Sequence, residues 1–189
     1  MIVYTDLHLF GTHPIISMPL DFGPDIFYIG DIVDIKNCHY LRLEDAYRYL
    51  RQLEENAGEN SVPGNHELKF GTKKYIIYNN ILLTHGDYFS WSNRTINKWR
   101  GGIIQPGASW PTRAFLRFKN ICIKNHPVFL SSYEIETIYS ISTSIDIQCH
   151  TVIIGHKHPK RIIRKRIRKP GKPEVTIIVL PRGRHELNL

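Results

Sequence analysis

Short apolar runs separated by polar junctions recur along the chain and predict β-strands. The first lies at residues 1–5, and the second lies at residues 25–29 and ends at Gly30. Residues 43–53 instead carry apolar side chains at helical spacing, which predicts an amphipathic helix that ends near Gly58. Further strands are predicted at residues 60–63, 75–78, 81–84, 151–154, 161–167 and 175–180.

The order of these elements predicts the fold class. Strands interleaved with a helix, followed by strands in quick succession, are typical of an α/β protein. A chain of 189 residues suffices for one sizeable core, so we predict a single domain over residues 1–189. Residues from about 88 to 150 are richer in Trp, Gly and Pro than the rest. We interpret this segment as a cap inserted into the domain.

Composition indicates the class of protein and its cellular compartment. Apolar residues make up 42% and charged residues 22%, as in ordinary globular proteins, and no apolar run is long enough to cross a bilayer. The three cysteines, Cys38, Cys122 and Cys149, lie far apart and lack C-x-x-C spacing. They favour a reducing compartment over a disulfide framework. We therefore predict a cytoplasmic protein without a transmembrane segment.

The net charge of +8 is unevenly distributed. Residues 88–133 contain seven basic side chains and no acidic one, and residues 157–172 contain nine basic side chains and no acidic one. All 17 acidic residues lie elsewhere. Such segregation creates a local positive potential that suits an anionic partner. For the second run, a solvated basic face is an equally good interpretation.

Residues that bind metals or transfer protons follow five of the predicted strands. Loops at the ends of core strands are where a rigid scaffold brings side chains together. Carboxylate and amide oxygens combined with imidazole nitrogens suit manganese, iron or zinc better than calcium. The sequence therefore predicts a site for divalent metal ions. The motifs are D-x-H, G-D-x-x-D, G-N-H-E, H-G-D and G-H-x-H, and they begin at Asp6, Gly30, Gly64, His85 and Gly155.

This ordered series resembles the calcineurin-like metallophosphoesterase superfamily, and the resemblance covers the chain from Asp6 to His158. It implies a four-layer α-β-β-α sandwich with a helical cap insertion. It also implies two divalent ions, with Asp31 bridging them. From the chemistry of the ligands we expect manganese, with iron or zinc as alternatives. The implied ligands are Asp6, His8, Asp31 and His158 for the first ion, and Asp31, Asn65, His85 and His156 for the second.

The same resemblance implies catalytic roles for two residues. His66 matches the histidine that protonates the leaving group in this superfamily, and Asp34 matches the carboxylate that orients it. Two ions about 3.5–4 Å apart can clamp both the attacking and the leaving oxygen of a phosphoryl group. Glu67 and Asp87 are interpreted as groups that hold the ligands in place. We expect a metal-dependent phosphoester hydrolase, either a phosphodiesterase or a phosphatase.

Several substrate classes stay open. Nucleotides, nucleic acids and other polyanionic phosphoesters suit the positive charge. UDP-diacylglucosamine pyrophosphate hydrolases carry a similar insertion between H-G-D and G-H-x-H, but they commonly have Arg where this chain has His66. Ser/Thr protein phosphatases continue G-D-x-V-D with Arg-Gly, where this chain has Ile35 and Lys36. A non-catalytic scaffold is a further alternative, which the complete ligand set disfavours.

The predicted cap carries the candidate substrate-binding residues. All three tryptophans lie within it, and basic side chains alternate with aromatic ones. Positive charge for phosphates and aromatic faces for bases together bind single strands or nucleotides. Packing of the aromatic residues into a small core of the cap is the alternative. The substrate-binding residues predicted on this basis are Arg94, Lys98, Trp99 and Arg100.

Overall fold

The computed structural model describes residues 1–11, 20–67, 73–87, 130 and 132–189. Within these ranges the chain forms an α/β fold. The strands are β1 (Ile2–Thr5), β2 (Ile26–Ile29), β3 (Ser61–Val62), β4 (Ile76–Tyr78), β5 (Ile81–Thr84), β6 (Thr151–Ile154), β7 (Ile163–Ile167), β8 (Val175–Val179) and β9 (Gly183–Glu186). The α-helices are α1 (Leu43–Ala57) and α2 (Ser132–Ser142), and 3-10 turns lie at Ile35–Asn37, Tyr40–Arg42 and Gly58–Asn60.

The strands form two mixed sheets. The first has the order β3-β2-β1-β9; its first three strands are parallel, and β9 is antiparallel to β1, with Ile2 opposite Glu186. The second has the order β4-β5-β6-β8-β7; its three central strands are parallel and both edge strands are antiparallel. In each sheet, the carboxyl ends of the parallel strands therefore share one edge.

Three clusters of buried apolar side chains join these elements. One contains Leu50 of α1 and Tyr28 of the first sheet. A second contains Phe27 of the first sheet and Ile153 of the second sheet. The third contains Ile138 of α2 with residues of β5, β6 and β8. Strands that are covered on both faces form continuous apolar runs, and this explains why their sequences do not alternate.

The helices differ in how well the sequence predicts them. α1 begins with Glu44 and Asp45, which offset the partial positive charge of a helix N-terminus, and it ends one residue before Gly58, as predicted. α2 lies within the segment predicted as the cap, whose residues 88–129 and 131 fall outside the described ranges. None of the described helices is long and apolar enough to cross a membrane.

Most predicted strands are confirmed to within two residues. β5 and β6 have the predicted bounds, and β7 begins two residues later than predicted. The sequence pattern does not predict β9, because its residues Gly183–Glu186 alternate between half-buried and exposed positions and contain no apolar run. β9 is thus a strand because it pairs with β1, which is distant in sequence, and not because of its own residue pattern.

Candidate metal centre

The loops that follow β1 and β2 run side by side. His8 N donates a hydrogen bond to Asp31 O (2.9 Å), and Leu9 N donates one to Ile32 O (2.9 Å). These bonds continue the parallel pairing of β1 and β2 beyond the ends of the strands. The D-x-H motif is therefore held directly against the G-D-x-x-D motif.

Side chains from loops of both sheets converge in three overlapping groups that could hold a metal ion. Within each group the candidate ligand atoms lie within 4.8 Å of one another. Because neighbouring groups share a residue, they form one continuous centre. The first group is Asp6, His8 and His158; the second is His8, Asp31 and His66; the third is Asp31, His85 and His156.

Asp6 links the two sheets at this centre. Its Oδ1 lies 2.8 Å from His158 Nε2 and 3.3 Å from His85 Nε2, and its Oδ2 accepts a hydrogen bond of 2.8 Å from the backbone N–H of His156. Burial tends to raise the pKa of Asp6, but the hydrogen bonds with His158 and His85 outweigh it and hold that pKa well below its usual range. The carboxylate is therefore ionised, as a metal ligand must be.

Asp31 lies between the other ligands. Its Oδ2 is 3.4 Å from His85 Nε2 and 3.9 Å from His8 Nε2, and its Oδ1 accepts a hydrogen bond of 2.7 Å from the backbone N–H of His66. Burial opposes ionisation here too, but His85 and His66 lower the pKa of Asp31 overall. A carboxylate ionised between two sets of imidazoles can serve two cations at once.

Asp34 orients two histidine rings. Its Oδ1 lies 2.6 Å from His66 Nδ1, and its Oδ2 lies 3.2 Å from His8 Nδ1. Asn37 Nδ2 lies 3.1 Å from both carboxylate oxygens. Because Nδ1 of each ring is engaged, Nε2 is the nitrogen that remains for a ligand or a substrate. The sequence predicts the contact with His66, whereas the contact with His8 is additional.

His85 is held in the same manner, since Asp87 Oδ1 lies 3.1 Å from His85 Nδ1. Burial alone would lower the pKa of His85, but Asp31 and Asp6 raise it well above its usual value. For His156, burial and the neighbouring His85 lower the pKa to about 4. Metal ligands bind in their deprotonated form, so a cation would compete with the proton on His85 but find His156 already neutral.

Two buried polar atoms of the centre have no hydrogen-bond partner within the described part of the chain. They are His8 Nε2 and Asn65 Oδ1. An unpaired buried polar atom costs about 1–3 kcal/mol, so such atoms are few in folded proteins. Both belong to predicted ligands, one for each predicted ion. An imidazole nitrogen and an amide oxygen can both donate electron pairs to a divalent cation, so these residues fit a metal site.

The backbone at the centre is strained. Five of the seven predicted ligands have φ angles between 44° and 63°, in the left-handed region. For a residue other than glycine this conformation costs about 1–2 kcal/mol, and it persists only where the surroundings enforce it. Such strain concentrates at functional sites. The five residues are Asp6, His8, Asp31, His156 and His158.

Two glycines allow the loops to approach closely. A Cβ at Gly64 would lie 2.2 Å from Asp31 Oδ1, and a Cβ at Gly155 would lie 2.6 Å from Asp6 Oδ2. Both distances are shorter than real Cβ atoms tolerate. Glycine at these positions therefore lets the backbone pack directly against two of the carboxylates.

Glu67 accepts hydrogen bonds from three backbone N–H groups of two loops beneath the centre. Its Oε2 accepts hydrogen bonds from the N–H groups of Asp31 (3.1 Å) and Gly64 (2.9 Å), and its Oε1 accepts one from Val33 N–H (2.7 Å). The side chain is almost fully buried, and burial together with the charge of Asp31 raises its pKa to about 7. These contacts agree with the interpretation of Glu67 as a residue that holds ligands in place.

We expect Glu67→Ala to lower the free energy of unfolding by about 3 kcal/mol or more, because each buried N–H group that loses its acceptor costs about 1–3 kcal/mol. Glu55→Ala, on the exposed side of α1, is the matched control and should change it by less than about 0.5 kcal/mol. Urea denaturation followed by circular dichroism measures both variants. Equal stability of the two variants would contradict this role of Glu67.

α2 reaches the centre through an ion pair. Glu134 Oε1 lies 2.5 Å from Lys157 Nζ, and Lys157 stands between the predicted ligands His156 and His158. Glu134 is buried, so the pair is largely shielded from water. Removing one partner of a shielded pair leaves an uncompensated charge. The loop that carries two predicted ligands is thereby attached to the segment predicted as the cap.

Two residues at the centre are absent from the sequence-based predictions. Arg182 Nε donates a hydrogen bond of 2.9 Å to Asp6 O, and the Thr5 hydroxyl bonds Asp6 Oδ2. Arg182 lies just beyond the carboxyl end of β8, so the strand-end rule, applied to this last parallel strand, could have found it. Thr5 gives no such signal, because a threonine that ends a strand is common.

No protein-family model and no curated protein matches this chain. The resemblance to the metallophosphoesterase superfamily therefore stays a prediction that rests on the motifs. The residues predicted to bind substrate lie outside the described ranges; they are Arg94, Lys98, Trp99 and Arg100.

Proposed function

We propose that this chain is a calcineurin-like metallophosphoesterase that hydrolyses phosphoesters with two divalent ions. The observation that carries the proposal is the pair of unpartnered buried atoms, His8 Nε2 and Asn65 Oδ1. Each atom belongs to a residue that is assigned to a different ion in the predicted ligand set. Each atom can donate an electron pair to a cation. The strained backbone of five of the ligands supports the same proposal.

The proposed ion assignment follows the first and third groups of candidate ligands, and it treats His66 of the second group as the general acid. Asp31 is shared, since it lies close to histidines of both ions. Manganese is the expected metal, with iron or zinc as alternatives, because the ligand set mixes oxygen and nitrogen atoms. The first ion is assigned to Asp6, His8, Asp31 and His158, and the second to Asp31, Asn65, His85 and His156.

The proposed chemistry divides between the ions and the chain. When bound, the two ions activate a water molecule and neutralise the charge that develops on the phosphoryl group. His66 is oriented by Asp34 through Nδ1, so its Nε2 can give a proton to the leaving oxygen. Hydrogen bonds from His66 and His8 overcome the effect of burial and lower the pKa of Asp34, so its carboxylate stays ionised and can hold the His66 ring in position.

We propose that the elements form the four-layer α-β-β-α sandwich of this superfamily, with a helical cap at about residues 88–150. The three apolar clusters support the layer order of α1, first sheet, second sheet and α2. The ion pair of Glu134 with Lys157 supports a cap attached to the centre. The free thiols Cys38 and Cys149 agree with a cytoplasmic location.

A substrate panel tests the proposed function. It includes a nitrophenyl phosphodiester, nitrophenyl phosphate, nucleotides, short oligonucleotides, a phosphopeptide and a UDP-linked lipid, each with added Mn²⁺. We expect hydrolysis of a phosphodiester or phosphomonoester that a chelator abolishes and Mn²⁺ restores. Two results together would contradict the proposal: no transition metal in the purified protein by elemental analysis, and activity that is indifferent to chelator.

A further inference from the structure

β7 is an edge strand of the second sheet and presents basic side chains to solvent. It pairs with β8, with Ile163 opposite Val179 and Ile167 opposite Val175. The two isoleucines pack against the apolar cluster that contains α2. All three residues between them are basic and exposed; they are Arg164, Lys165 and Arg166.

This basic strand starts at the metal centre. Only four residues separate the predicted ligand His158 from Ile163, and two of them are the exposed Lys160 and Arg161. The antiparallel neighbour β8 ends beside the same centre, where Arg182 bonds the backbone of Asp6. Positive charge therefore extends from the centre along the edge of the sheet.

Ion pairs neutralise the far end of this segment but not the part near the centre. Arg168 pairs with Glu174 at 3.1 Å, and Lys169 pairs with Glu136. We name the unpaired part the basic track. It consists of Lys160, Arg161, Arg164, Lys165 and Arg166, none of which forms an ion pair with any residue in the described ranges.

We propose that the basic track binds the phosphodiester backbone of a nucleic acid strand and leads it to the metal centre. This inference rests on the proposed function and names its substrate class. Arg164 and Arg166 lie on the same side of β7, and the strand rise places their Cα atoms about 6.6–6.8 Å apart. That distance is close to the spacing of successive phosphates in an extended strand. Arg presents a fork of donors that suits phosphate oxygens.

The basic track differs from a protective edge strand and from a membrane-binding surface. Charged residues protect an edge strand from aggregation, whereas five unpaired charges within seven residues also repel one another. A membrane-binding surface combines basic residues with apolar side chains that insert between lipids. Between Lys160 and Arg166 the one large apolar side chain that is more than a third exposed is Ile162. A linear polyanion matches a linear array of charges better than a lipid surface does.

The test measures binding without catalysis. Fluorescently labelled single-stranded DNA and RNA are titrated with the full chain in the presence of chelator, at several salt concentrations. For the variant with Arg164→Gln and Arg166→Gln, we expect Kd to rise on the order of tenfold at low salt. The slope of log Kd against log salt should fall by about 1.4, since each phosphate contact to a single strand contributes about 0.7.

Matched variants make the outcome decisive. The control variant with Arg48→Gln and Arg51→Gln removes an equal number of positive charges, but from the exposed side of α1. It should leave Kd and the slope nearly unchanged. Arg164→Lys with Arg166→Lys keeps the charge and should retain most of the binding. Equal weakening by both Gln pairs, or none by the β7 pair, would overturn the proposal. So would anionic phosphatidylserine vesicles binding more tightly than the oligonucleotides through the same two arginines. Because hydrolysis of a small nitrophenyl diester is measured separately, failure of the basic track and failure of the proposed function remain distinguishable.

Discussion

Under the proposed function, Asp31→Asn should reduce phosphoester hydrolysis by at least about 10³-fold, because the proposed sharing of its carboxylate between two cations is worth several kcal/mol. The amide keeps the shape of the side chain but has one oxygen and no charge, so it cannot neutralise two ions at once. Bound metal should fall from about two ions per chain towards one or none. Elemental analysis and a nitrophenyl ester assay measure the two effects.

Asp45→Asn is the control for this experiment, because Asp45 lies on the exposed face of α1 and pairs there with Arg48. It should leave both metal content and rate unchanged. Circular dichroism of the chelated variants shows whether the fold persists. An Asp31→Asn protein that is folded, binds two ions and keeps its full rate would exclude Asp31 as the bridge.

His66→Ala should lower the rate by roughly 10²–10⁴-fold while both ions stay bound, because it removes the proposed general acid. The loss should shrink for nitrophenyl esters, whose leaving groups need no proton. His150→Ala, at an exposed site, is the matched control and should have no effect.

Metal content decides between the two roles that the geometry allows for His66. Its Nε2 lies 3.9 Å from Asp31 Oδ2, and the ring belongs to one of the candidate metal groups together with His8. If His66→Ala lost an ion, His66 would be a ligand and the assignment of the general acid would be wrong. If both ions stayed and the loss were the same for good and poor leaving groups, proton transfer would not be its role.

The sequence predicts the location of the candidate centre because that location depends on local patterns. Each motif follows a predicted strand, and parallel strands bring their carboxyl ends to one edge. The sequence therefore predicts that Asp6, Asp31 and His85 lie in loops at strand ends. This prediction does not depend on how the strands are arranged in the sheets. The bounds of β5 and β6 follow from the same apolar runs.

The remaining features depend on tertiary register, which no local pattern encodes. The contact of Asp34 with His8 requires the β1 and β2 loops to run side by side, and the three hydrogen bonds of Glu67 require the Gly64 loop to pack beneath them. The left-handed backbone of Asp6 and His8 is enforced by those surroundings rather than by residue type. Backbone propensity alone would not predict a left-handed conformation for either aspartate or histidine.

The pairing of β1 with β9 has a consequence for how this centre is assembled during folding. Ile2 lies opposite Glu186, so the ladder that positions the Asp6 loop joins residues separated by nearly the whole described chain. Loop closure over such a separation is entropically costly and slow compared with local contacts. A nascent chain that still lacks β9 has one neighbour fewer for β1, and the cradle around Asp6 also lacks Arg182. The candidate metal centre should therefore be completed late in folding, after synthesis has passed residue 186.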